Sequence, residues 1–149
     1  MRAVVQRVTE GSVSVENKVV GKIGAGMVIL LGVEDGDTEK DADYIADKVA
    51  GLRIFDDENG VMNISITDAG GEILSISQFT LLADARKGKR PSYIKAARPE
   101  EANKLYEYFN ERLEDKDIHV EKGIFQTDML VKINNDGPVT ILLDSKKLF

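Results

Sequence analysis

Residues 26–33 read Gly-Met-Val-Ile-Leu-Leu-Gly-Val, without one polar side chain. A strand with one face in water alternates polar and apolar residues, so an unbroken apolar run of strand length, bounded by glycines, fits a central strand buried on both faces. Residues 2–9 and 12–16 alternate, and the second segment turns through Glu16-Asn17-Lys18 into Val-Val-Gly-Lys-Ile, which predicts a hairpin. Leu-Arg-Ile-Phe at 52–55 and Val-Met-Asn-Ile at 61–64 flank a turn-like Asp-Asp-Glu-Asn-Gly, and residues 72–79 read as another strand after Gly70-Gly71. Residues 118–121, 129–134 and 139–143 return to strand character. Two segments carry the helical period instead. Ala42, Ile45, Ala46 and Val49 follow an Asp37-Thr38 cap, and Ala102, Leu105, Tyr106, Phe109 and Leu113 follow Pro99-Glu100-Glu101. About eight strands adjacent in sequence, with two main helices, predict an α+β fold: mostly antiparallel curved sheets forming a β-barrel-like single domain over residues 1–149.

The composition narrows the chemistry. With no cysteine and only one histidine, His119, neither a disulfide framework nor a thiolate or zinc site is expected, and no cofactor or metal is assigned. His119 sits in a short alternating Ile-His-Val-Glu stretch, where partial exposure or a structural hydrogen bond is expected rather than catalysis, so a Ser-His-Asp triad is a poor reading. The Gly24-Ala25-Gly26 triplet lacks the following helix of a dinucleotide fingerprint, and Asp56–Gly60 lacks the spaced ligands of a calcium loop. The N-terminal stretch has no signal-peptide core and no segment approaches a membrane span, which predicts a cytoplasmic protein with no membrane partner.

Three segments break their own patterns. Ser77, Gln78 and Thr80 put hydroxyls and an amide at the end of an apolar strand, either to satisfy local backbone groups or to build a site. Beside them, residues 84–98 hold Arg86, Lys87, Lys89, Arg90, Lys95 and Arg98 against Asp84 alone, a local +5 in a chain of net charge −6. Such a patch on an acidic body is either a solvated loop or a seat for a polyanion such as RNA. The third is Gly137-Pro138, set between two strand-like segments. It reads as a hairpin turn or as an unusual backbone shape with exposed carbonyls, because proline cannot donate to a ladder and glycine accepts angles closed to other residues.

Ser-Gln-Phe-Thr at 77–80 followed by Arg-Pro-Ser-Tyr at 90–93, with Asn-Asp-Gly-Pro-Val-Thr at 135–140, Leu-Arg-Ile-Phe at 52–55 and Val-Val-Gln-Arg-Val at 4–8, resembles the D-aminoacyl-tRNA deacylases, historically called D-tyrosyl-tRNA deacylases, nearly end to end. The resemblance implies a cytoplasmic homodimer, working without cofactor, that hydrolyses the ester between a D-amino acid and tRNA. It also implies that Gly137-Pro138 is a cis dipeptide reaching into the partner subunit's active site, where its carbonyls reject L side chains but have no means of rejecting glycine. Arg7 resembles the arginine that holds this gate. By the same resemblance the amides of Phe79 and Thr80 receive the oxyanion and Ser77 and Gln78 organise the pocket. Phe125 and Met129 bind substrate, Phe125 by stacking near the terminal adenine, and Arg86, Lys87, Lys89 and Arg90 bind tRNA. Gln126-Thr127 departs from the small residues the family commonly has after the phenylalanine. Attack by water assisted by the ribose 2′-hydroxyl is expected ahead of a covalent route through Thr80, for which no base is evident. The alternative function is a non-catalytic β-barrel module that binds RNA ends.

Overall fold

The computed structural model describes residues 1–149. Its central strand, β3 (Gly26–Gly32), runs antiparallel to β1 (Arg2–Val15) on one edge and parallel to β6 (Glu72–Ser77) on the other. The sheet continues to β2 (Lys18–Ile23) beyond β1 and to β7 (Val120–Lys122), parallel to β6. The long β8 (Leu130–Asp144) pairs antiparallel with the remaining edge of β1. β4 (Phe55–Asp56) and β5 (Met62–Ile64) form a separate two-stranded ladder. The sheet is therefore mixed though mainly antiparallel, and it curls nearly shut into a barrel. At Gly21 on β2 an added Cβ would lie 2.9 Å from the Lys122 carbonyl of β7, so these two strands close on each other.

Two cores explain the apolar run. Met27, Ile29 and Leu31 point to one side of β3, into the larger core with α1 (Glu39–Gly51) and α3 (Pro99–Glu114). Val28 points the other way, into the barrel, beside Val8, Val13, Ile23, Leu74 and Ile76. Both faces are dry, so alternation has no solvent side to report. The predicted helices form where their caps place them: Thr38 and Asp41 make a capping box at α1, and Pro99 with Glu100 and Glu101 opens α3. No helix is long and apolar enough to cross a membrane.

Three expectations change. A third helix, α2 (Ile66–Ala69), forms where none was read; the Ser65 hydroxyl accepts the Asp68 N–H and Gly70 closes it at φ +67°. Its one turn is too short to display a 3.6-residue period. The strand expected over 72–79 ends at Ser77, and Phe79–Leu82 coil into a 3-10 turn. The segments expected as separate strands at 129–134 and 139–143 merge into β8, which starts at Leu130, as those at 2–9 and 12–16 merge into β1.

Gly26 marks how close β3 and β6 come, since a Cβ there would overlap the backbone of Glu72. Gly26→Ala should therefore destabilise the fold by about 3 kcal/mol, whereas Gly51→Ala, which meets nothing within 4 Å at the end of α1, should stay within about 1 kcal/mol of the parent. Urea denaturation of the two variants checks this; equal stabilities would contradict the close pairing.

Candidate active site

The site is built where β3 and β6 run out. The Gln78 N–H donates to the Leu31 carbonyl at 2.7 Å, extending the parallel pairing by one step. The chain then turns back over β3, and Gly32 makes the room: a Cβ there would stand 3.0 Å from both the Gln78 carbonyl oxygen and Leu81 Cβ. The 3-10 ladder begins with Leu81 N–H donating to the Gln78 carbonyl at 3.2 Å. The amides of Phe79 and Thr80 precede that bond and, like the first N–H groups of any helical turn, have no partner within it. Gln78 Nε2 donates to Thr80 Oγ1 at 2.5 Å, so the amide fixes the hydroxyl. A carboxamide is a donor and a weak acceptor, not a base, and it does nothing to deprotonate the threonine.

A cavity of about 660 Å³ opens beside this turn. Ser77, Gln78 and Phe79 form one wall, and Phe125 through Met129 form the opposite one. Tyr93, Ala96, Ala97 and the start of α3 at Pro99 and Ala102 close the rest. Phe79 is 56% exposed and meets the Tyr93 ring edge-on, with centroids 5.3 Å apart. Phe125 lies over Tyr106 of α3, centroids 6.3 Å apart and planes 28° from parallel. The lining is mostly apolar and holds one charged residue, Asp128. His119 lies elsewhere, half-exposed beside Glu121 at 3.1 Å and Glu72 at 3.7 Å, as expected of a histidine outside the chemistry. The polar side of the lining comes from Ser77 and Gln78 on one segment and Gln126, Thr127 and Asp128 on the other.

The basic loop is anchored at the cavity mouth. Asp84 and Ser92 exchange backbone hydrogen bonds of 2.8 and 2.9 Å, while Asp35 N–H to the Lys95 carbonyl (2.8 Å) and Ala97 N–H to the Val33 carbonyl (3.0 Å) tie its end to the segment after β3. Arg86 forks onto the Asp84 carboxylate at 2.9 and 2.6 Å and holds it far below the usual carboxylate range. Lys87, Lys89 and Arg90 are exposed and make no ion pair.

Gly137-Pro138 is not a hairpin turn. Between the pairs Gln6↔Thr140 and Val8↔Asn135 the register of β8 on β1 slips, so that Arg7 alone faces residues 136–139, which arch away from the ladder. Arg7 fills the arch, with Nη1 donating to the Ile54 carbonyl at 2.7 Å and Nε to the Asp136 carbonyl at 3.3 Å; the carboxylates of Asp136 and Asp56 stand 3.4 and 3.6 Å away. The Asn135 side-chain amide closes the base of the arch by donating to the Arg7 and Val139 carbonyls. Gly137 sits at φ +103° directly against the guanidinium, and both it and Pro138 are exposed. The expected cis bond is corrected: the chain contains no cis peptide.

The site residues anticipated from sequence thus fall into three places. Ser77, Gln78 and Phe79 meet Phe125 and Met129 around the cavity, Thr80 is not in its lining and is tied to it through Gln78, and Arg86, Lys87, Lys89 and Arg90 stand on the loop at its mouth. Arg7, Gly137 and Pro138 come together at the arch, and none of them lines the cavity. Tyr93 and Tyr106 were missed as contributors. Tyr93 belonged to a quoted motif without a role, and Tyr106 was absorbed into the apolar stripe of its helix.

Residues 4–144 match the family described as D-Tyr-tRNA(Tyr) deacylase. A D-aminoacyl-tRNA deacylase of Desulforamulus reducens is 60% identical over 149 residues, spanning 100% of both chains, and its namesake in Kosmotoga olearia is 54% identical over the same span. A solved structure described as c-Myc DNA Unwinding Element Binding Protein superposes with a TM-score of 0.91 at 40% identity, over 97% of this chain and 98% of its own. Another, described as a probable eukaryotic D-amino acid tRNA deacylase, shares the fold at a TM-score of 0.79 and 17% identity, over 96% of this chain and 98% of its own.

The arch supplies its own test. Gly137→Ala places a methyl against Arg7 at a backbone angle that L residues rarely adopt, and should cost about 1–3 kcal/mol. Chemical denaturation measures it, and a neutral substitution would mean that Arg7 does not brace the arch.

Proposed function

Because this chain belongs to the D-Tyr-tRNA(Tyr) deacylase family, and is by that membership a D-aminoacyl-tRNA deacylase, we propose that it hydrolyses the ester of D-aminoacyl-tRNA to free amino acid and tRNA. The observation that carries this reading is the cavity at the strand end, lined by Ser77, Gln78 and Phe79 where a 3-10 turn begins, with no histidine and Asp128 as its one charged residue. An aminoacyl ester is already activated and has a ribose 2′-hydroxyl beside it, so positioning and oxyanion stabilisation suffice. In this mechanism the N–H groups of Phe79 and Thr80 receive the oxyanion, Ser77 and Gln78 hold the turn in shape, Phe125 stacks on the terminal adenine with Met129 beside it, and water attacks with help from the 2′-hydroxyl. Lys87, Lys89 and Arg90 contact tRNA phosphates, together with Arg86 where phosphate competes with Asp84 for it. No cofactor or metal enters, and a tRNA substrate places the reaction in the cytoplasm.

The chiral selection belongs to the arch. Its exposed Gly137-Pro138 backbone, braced by Arg7, is a rigid projection that enters the cavity of a second copy in a symmetric homodimer. Two features support this: no residue of the arch lines its own cavity, and the outer edge of β8 is a long unpaired strand with Leu130 and Leu142 exposed. With amino group and ester fixed, an L side chain collides with the projection and a D side chain points to solvent. Glycine, with only a hydrogen on each side, passes the gate.

Turnover on matched D-, L- and glycyl-tRNA tests the reading. D- and glycyl esters should be cleaved and the L ester spared; protection of all three would favour the RNA-end-binding module, and survival of the glycyl ester beside the L ester would remove the steric gate. Thr80→Ala should lower kcat but leave measurable hydrolysis, while a folded and inactive variant would sink the 2′-hydroxyl-assisted mechanism. Reversing the charges of Lys87, Lys89 and Arg90 should weaken tRNA binding and flatten its salt dependence, read from Kd across a salt series; an unchanged slope would take the loop out of the interface.

A further inference from the structure

We propose that Tyr106 is a positioning residue of the active site, setting the separation of the two cavity walls through one hydroxyl and one ring. The β6–β7 ladder ends at the pair Ser75↔Lys122. Past this point the strands diverge: β6 goes on to Ser77 and Gln78, and the other chain passes Gly123 into Phe125–Met129, so the cavity is the space between them. Tyr106, 2% exposed on α3, stands at the fork. Its hydroxyl donates to the Ser75 carbonyl at 2.7 Å, and the same carbonyl takes the Gly123 N–H at 3.3 Å. Its ring backs Phe125, which is the wall itself.

The rest of the junction leaves little play. A Cβ on Gly123 would press on Met129 Sδ and stand 3.3 Å from Ile76 Cδ1, so the start of the second wall is packed directly on the first. Filling this place in the apolar stripe of α3 asks only for a ring, and phenylalanine would do. A buried hydroxyl costs free energy unless it is bonded, and here it is bonded to the strand that carries Ser77 and Gln78. A phenol is a donor at neutral pH, and burial pushes the ionisation of Tyr106 further up. Tyr106 touches no reacting atom in this arrangement; it acts through Phe125 and the end of β6.

The inference rests on the proposed ester hydrolysis for its kinetic readout but not for its structural one. Tyr106→Phe keeps the ring and removes only the hydroxyl. With D-aminoacyl-tRNA, KM should rise about tenfold while kcat stays within about twofold, because the loss falls on adenine stacking rather than on the oxyanion. The double variant with Phe125→Ala should be no worse in KM than Phe125→Ala alone, since both changes act on one contact. Independent of any substrate, the Phe125 ring resonances should shift and broaden in Tyr106→Phe. A lower Tm with unchanged KM and an unmoved Phe125 signal would make Tyr106 a core residue only. KM effects that multiply in the double variant would overturn the route through Phe125. A wild type without turnover would refute the proposed function while the resonance test still decides the role of Tyr106.

Discussion

The close parallel pairing of β3 with β6 is the constraint on which the site depends. Gly26 admits the backbone of Glu72 at one end, and Gly32 admits the 3-10 turn at the other. A side chain at Gly32 would meet the Gln78 carbonyl, Leu81 and Leu82, the atoms that fold the turn back over β3. The amides of Phe79 and Thr80 are presented because the strand stops pairing at Gln78 and the next bond begins at Leu81. A deeply buried strand gives this turn a rigid base, and rigidity matters when catalysis is asked to come from fixed dipoles.

A second constraint acts at the other end of the sheet. Arg7 is inserted into the register slip between β1 and β8, and its guanidinium satisfies the Asp136 carbonyl within the slip and the Ile54 carbonyl just ahead of β4. Its charge is balanced by the carboxylates of Asp136 and Asp56, both partly exposed, so these ion pairs contribute modestly and the carbonyl bonds fix the shape. Backbone projected in this way is indifferent to side-chain identity, a property suited to sorting substrates by configuration alone.

Charge is distributed in keeping with these roles. The chain carries a net −6, yet the loop over the cavity mouth presents Lys87, Lys89 and Arg90 unpaired. Arg86 is spent locally on Asp84, where it stiffens the loop base. On an acidic body this loop is the local concentration of positive charge, and Tyr93, Ala96 and Ala97 of the same segment line the cavity.

How much of this was legible in the sequence depends on whether the cause was local. The unbroken run at 26–33 declared a doubly buried strand, the 3.6-residue stripes declared α1 and α3, and the density of basic residues at 84–98 declared the loop, because each of these is a property of neighbouring residues. The motif at 77–80 was recognisable too, though its shape was not: alternation continued to Phe79 while the strand ended at Ser77, since the turn is enforced by room above Gly32, dozens of residues away. α2 escaped because one turn has no period to detect. The segment around Gly137-Pro138 read as turn or distorted strand, and the choice was made by β1, whose Arg7 faces residues 136–139 and holds them open. Tyr106 looked like one more apolar position, and only the arrival at its hydroxyl of the Ser75 carbonyl, which also takes the Gly123 N–H, gave the oxygen a purpose. Sequence by itself determined which segments are extended, helical, apolar or basic; the tertiary structure decided which strands lie side by side and in what register, because pairing brings together groups whose separation along the chain leaves no trace in local pattern.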